Sequence, residues 1–102
     1  MKYQLVIQFQ ASSMDDFHRL VAFESVLADE LDGRNSVDGH DFGSGEFNIF
    51  VLTDDPTTTF DQTMKVFQSA KLRRSVRVAY RERTGEDYVI FWPPGLLEFR
   101  IA

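Results

Sequence analysis

The sequence predicts one α+β domain, on three observations. Short runs that alternate apolar and polar residues recur along the chain. Two longer runs with helical spacing are interleaved with them. Each helical run opens on a start signal. The length, 102 residues, suits a single domain over 1–102 and is too short for two. No repeat, linker or low-complexity stretch divides it.

The elements follow in order. In residues 2–10, Tyr3, Leu5, Ile7 and Phe9 alternate with Gln4, Val6, Gln8 and Gln10, which reads as a strand with one buried face. Ser13 then offers a helix cap, with Asp16 in the first turn. Phe17, Leu20, Val21, Leu27, Ala28 and Leu31 recur at helical spacing. The helix is expected over about 14–32, closed by Gly33. Residues 36–42 form a weak strand, and Phe47 to Thr53 a strong one by composition. Gly43-Ser44-Gly45 joins them as a hairpin. Asp54-Asp55-Pro56 opens the second helix, because an acid before a first-turn proline is a start signal. Its apolar stripe is Phe60, Met64, Phe67 and Ala70, ending near Leu72. Ser75 to Arg83 alternates again, Thr84-Gly85-Glu86 turns the chain, and residues 88–92 return as an added C-terminal hairpin strand. Pro93-Pro94-Gly95 stops it. The tail, Leu97 to Ile101, alternates once more and reads as a short edge strand.

The order β-α-β-β-α-β is that of a ferredoxin-like sandwich, with one strand added. Right-handed crossovers then place both helices on one face of an antiparallel sheet, with the first and third strands central. A thioredoxin-like sheet, obtained by dropping the weak strand at 36–42, ranks below it. That fold's Cys-x-x-Cys is absent.

Composition excludes whole classes. There is no cysteine, so disulfides, thiol catalysis and Cys-ligated metals are ruled out, and a reducing, cytoplasmic setting is expected. No run has the length of a membrane span or of a signal-peptide core. Net charge is −5 and unevenly placed. Residues 1–64 carry 12 acids and 3 bases, whereas residues 65–102 carry 4 acids and 8 bases, so the two parts are −9 and +4. An acidic chain is disfavoured for nucleic acid. Arg73, Arg74, Arg77, Arg81 and Arg83, near Tyr80, Phe91 and Trp92, are a basic-aromatic group. However, Tyr80 and Trp92 fall on the core phase, and the aromatic run typical of RNA-binding sheets is missing.

The candidate site is the sheet face that the helices leave open. A three-residue Gly43-Ser44-Gly45 loop pairs Phe42 with Glu46 and His40 with Asn48. It puts Val37, Phe47, Ile49 and Val51 in the core, with Asp38, His40, Phe42, Glu46, Asn48 and Phe50 on the open side. Gln8, Arg77 and Arg81 join them there from neighbouring strands, and Val89 and Phe91 from the last. A two-residue Ser44-Gly45 turn would shift the pairing by one and carry His40 to the side of Ile49. The expected binding set is therefore Asp38, His40, Glu46, Asn48, Gln8, Arg77 and Arg81.

Each piece has a plainer reading. An antiparallel sheet is ordinarily polar on its wet side. Asp38, His40 and Glu46 have the chemistry of an acid–base or divalent-ion cluster, but their spacing matches no metal motif. Gly43-Ser44-Gly45 leads into a strand, whereas a phosphate loop leads into a helix. No nucleophile elbow or dinucleotide loop is present. No cofactor is implied. The expectation is a non-enzymatic binding or protein-interaction module, with a small enzyme centred on His40 as the alternative. The apolar tail, from Trp92 to Ile101, either folds back over the domain or pairs with another chain. A homodimer or a protein partner is expected on that ground.

Overall fold

A computed structural model describes residues 1–101 apart from Ser12, 32–34 and 71–75, with backbone only at Asn35 and 68–70. The elements are β1 (Tyr3–Gln10), α1 (Met14–Glu30), β2 (Asn35–Gly43), β3 (Glu46–Thr53), α2 (Pro56–Ala70), β4 (Val76–Glu82) and β5 (Val89–Trp92). One antiparallel sheet has the order β2-β3-β1-β4-β5. The class is α+β, with five antiparallel strands and two helices, broadly compatible with a ferredoxin-like arrangement. The added β5 takes the edge, so β4 lies inside the sheet between β1 and β5.

Local chemistry explains the helix starts. The Ser13 hydroxyl accepts from the Asp16 backbone N–H at 3.1 Å, satisfying one of the free donors of a first helical turn. α1 ends where Leu31 turns extended, its N–H still bonded to the Leu27 carbonyl at 2.9 Å. The expected cap at Gly33 lies outside the described residues, as do Leu72, Arg73, Arg74 and Ser75. Asp55 caps α2, accepting from the Thr58 N–H at 3.1 Å and its hydroxyl at 2.8 Å. Those Thr58 bonds, hydroxyl first, hold the Asp55 carboxyl below the usual aspartate range. Inside α2, buried Thr63 donates to the Thr59 carbonyl at 2.8 Å, and Thr59 to the Asp55 carbonyl at 2.9 Å. Burial of these hydroxyls is thereby satisfied.

The main core lies between the helices and one sheet face. Leu5, Ile7 and Phe9 of β1, Phe47, Ile49 and Val51 of β3, and Val76 and Val78 of β4 point into it. Phe67 of α2 stacks on Phe23 of α1 at 5.1 Å and meets Phe9 edge-on at 5.7 Å. This triad ties both helices to β1. Tyr80 and Trp92 pack against the same core, as their phase indicated.

One expectation fails at β1. It was read as buried on one side, yet Leu5 to Phe9 are all buried without alternation. The other side of β1 is covered too, by the C-terminal tail. Val6 and Ala79 form a second apolar cluster with Phe99, joined by Phe50, Tyr88, Ile90 and Ile101. The tail folds back, and residues 96–101 form no strand, in contrast to the edge strand expected there.

Candidate functional site

The hairpin decides where the expected site residues go, and it takes the two-residue form. Ser44 (φ 54) and Gly45 (φ 79) are both left-handed, as a tight turn matched to strand twist requires. Phe42 therefore pairs with Phe47, and His40 with Ile49. This corrects the three-residue register. Cross-strand packing explains the outcome: Phe42 and Phe47 both pack beside Phe17 of α1, at 5.0 and 6.0 Å. A bulge between Val37 and Gly39, with Gly39 at φ +127, reconciles the ends. It adds one residue, so Val37 keeps its core side while His40 and Phe42 gain theirs.

His40 accordingly sits on the helix side and not in the open-face patch. Its ring stacks on Phe47 at 4.8 Å, and its Nδ1 is 2.9 Å from Glu24 Oε1 of α1. The imidazole is 29% exposed and the Glu24 side chain 16%. Glu46 lies on the opposite face, where its carboxylate accepts from Gln8 Nε2 at 3.3 Å. Asp38 is the extra residue of the bulge. The expected Asp38–His40–Glu46 cluster does not form. Among the described residues, no three His, Asp or Glu side chains are placed to share a metal ion.

Gln8, Asn48, Arg77 and Arg81 do lie on the open face. Asn48, Gln8 and Arg77 form one row across β3, β1 and β4. Gln8 and Asn48 are each only 1% exposed, because the tail passes over them. Gln8 Nε2 donates to the Arg100 carbonyl at 3.0 Å. Gln8 Oε1 and Asn48 Oδ1 are buried with no hydrogen-bond partner among the described residues.

Arg81 is occupied with structure. Its Nη1 donates to the carbonyls of Gly85 at 2.8 Å, Arg83 at 3.1 Å and Glu82 at 3.4 Å, and its guanidinium lies 6.0 Å from the Tyr88 ring centre. It knots the β4–β5 turn. In and before β5, Tyr88, Ile90 and Phe91 face the other way from expectation, while Trp92 keeps its core side. Phe91 packs against Phe60 at 4.6 Å and Tyr80 at 4.9 Å on the helix side, whereas Tyr88 and Ile90 join the open-face cluster. A register shift between Val78 and Ala79 brings Phe91 and Trp92 both onto the main core.

The tail is placed by a turn at its base. The Leu96 N–H reaches the Pro93 carbonyl at 3.3 Å, with Gly95 at φ +84. Proline then glycine at the two central positions is the type II pattern. Beyond it, Phe99 meets Tyr88 at 4.9 Å and is 8% exposed, while Leu97 is 97% exposed. Arg77, Gly95, Leu96, Leu97, Glu98 and Arg100 line a shallow open depression where the tail begins its crossing. Sequence reasoning had the tail's composition but not its destination. The available signal was the phase match between Phe99, Ile101 and the small apolar strip of Val6 and Ala79.

Compared with protein-family models, with curated proteins and with solved structures, the chain matches none. No helix among the described residues is long and apolar enough to cross a membrane.

Proposed function

We propose that this chain is a ferredoxin-like protein-interaction module whose contact surface is the open sheet face together with the tail lying on it. The observation that carries this reading is Leu97. A leucine 97% exposed is held on a turned segment beside Arg77 and Arg100, with Leu96 half-buried next to it. Isolated exposed apolar residues are ordinary. The rim around this one holds Arg77 and an Arg100 paired with Glu98 at 3.4 Å, a net positive charge on an acidic chain, which suits a protein surface offering a small apolar hollow with a carboxylate for Arg77. Complementary charge of that kind favours encounter and orientation. The partner is a second copy or another protein.

A photo-crosslinking residue placed at position 97, and separately at exposed Asp61 on α2, tests the proposal in cells. Adducts to a defined protein are expected from position 97, reduced several-fold by Arg77→Glu with Arg100→Glu. Equal labelling from both positions would sink it.

A further inference from the structure

The segment that covers the open face is unlike everything else packed on the sheet. Residues 96–101 add no strand to the ladder. The described attachments are Phe99 and Ile101 in the Val6–Ala79 strip, and the Arg100 carbonyl on Gln8 Nε2. Beneath it lie the side-chain oxygens of Gln8 and Asn48, which have no hydrogen-bond partner among the described residues. The groove is thus matched to a short extended peptide with apolar residues two apart, and held loosely by main-chain polarity. Its present occupant is the chain's own segment 96–101.

The base of that segment is Pro93-Pro94-Gly95. The closed path depends on Gly95 at φ +84, a left-handed conformation that only glycine adopts freely. If Gly95 opens to an extended conformation, residues 96–101 are carried off their own sheet. The same six residues then meet an identical groove on another molecule.

We propose that residues 96–101 exchange between two copies of this chain, each filling the other's open-face groove. The inference rests on the reading of this face as an interaction surface; the exchange is carried by Phe99 and Ile101 and leaves Leu97 exposed as before. The contacts made in trans are those made in cis, so concentration decides the balance. A short tether corresponds to an effective concentration on the order of 1 mM, so exchange grows as the chain approaches that range.

The chain has no cysteine, which permits a clean test. Arg77 and Glu98 line the same depression. Arg77→Cys and Glu98→Cys are made in separate chains, mixed at about 1 mM, and treated with a short bis-maleimide. A covalent heterodimer is expected, in severalfold excess over a control mixing Glu98→Cys with Asp61→Cys from the far side. Gly95→Ala supplies the second arm. A Cβ at Gly95 meets nothing within 4 Å, so the substitution acts through the turn conformation alone. Strain at a left-handed residue amounts to a factor of about five or more, and heterodimer yield at lower concentration is expected to rise by at least about fivefold. Yield at the control level, or a yield that Gly95→Ala leaves unchanged, overturns the exchange. Persistent adducts from position 97 to a different protein, with no heterodimer, would leave the interaction surface standing and remove only the second-copy assignment.

Discussion

The two faces of the sheet are both buried, but by different means. On the helix side, side chains from α1 and α2 interlock with three strands, and the Phe9–Phe23–Phe67 triad is fully enclosed. On the other side, a six-residue segment without secondary structure lies over Val6 and Ala79 and covers two polar side chains as well. The first face is closed by elements that are themselves stabilised by internal hydrogen bonds. The second is closed by a strap whose backbone adds none to the ladder. The helix side is therefore the more firmly held of the two, and the exchange proposed above uses the other.

Substitutions sharpen that contrast. The largest effect is expected from Phe67→Ala, which empties the centre of the helix-side core. A loss of about 3–5 kcal/mol in denaturant unfolding is expected, and a loss as small as that of a strap substitution would break the contrast. Phe99→Ala should cost about 2 kcal/mol, since one aromatic on one side of a thin cover is removed. Amide exchange should accelerate selectively around Val6 and Ala79. Arg81→Ala releases three carbonyls of the β4–β5 turn at a partly exposed site, with about 1 kcal/mol expected. Its effect on Leu97-centred crosslinking should be small, because Arg81 serves the turn.

Leu97→Ala should change stability by less than about 0.5 kcal/mol while reducing crosslinking at the neighbouring tail positions. A substantial loss of stability would place Leu97 in the fold instead of the surface.

The smallest expected effect concerns Asp55. Its folded carboxyl is held below its unfolded value by Thr58. That contribution is present above the unfolded value and disappears as pH falls through the folded one. Asp55→Asn keeps a capping oxygen but loses the titration. Its melting temperature should be less sensitive to acid than that of the parent chain, as thermal scans from neutral pH down through the aspartate range would show.

Much of this was legible in the chain. Ser13 and the Asp54-Asp55-Pro56 start are local hydrogen-bonding chemistry, and both helices begin where those residues require. The strands were readable because β-branched and aromatic residues concentrate at Phe47 to Thr53 and alternate from Val76 to Tyr80. The candidate site was less legible. His40 was two registers' worth of argument away from its place, since Ser44-Gly45 and Gly43-Ser44-Gly45 are both acceptable turns. Phe23 was missed as a core residue although it stands three residues after Leu20 and four before Leu27, the spacing that puts all three on one helix face.

Sequence alone determined the types of the elements from β1 to β5, the helix starts, the absence of thiol chemistry and the charge imbalance. Each of these depends on a residue and its near neighbours. Tertiary structure decided the hairpin register, the facing of β5 and the path of the tail. Those are choices between locally equivalent alternatives, and only packing distinguished them: Phe42 against Phe17, Phe91 against Phe60, and Phe99 over the narrow apolar strip beside Gln8.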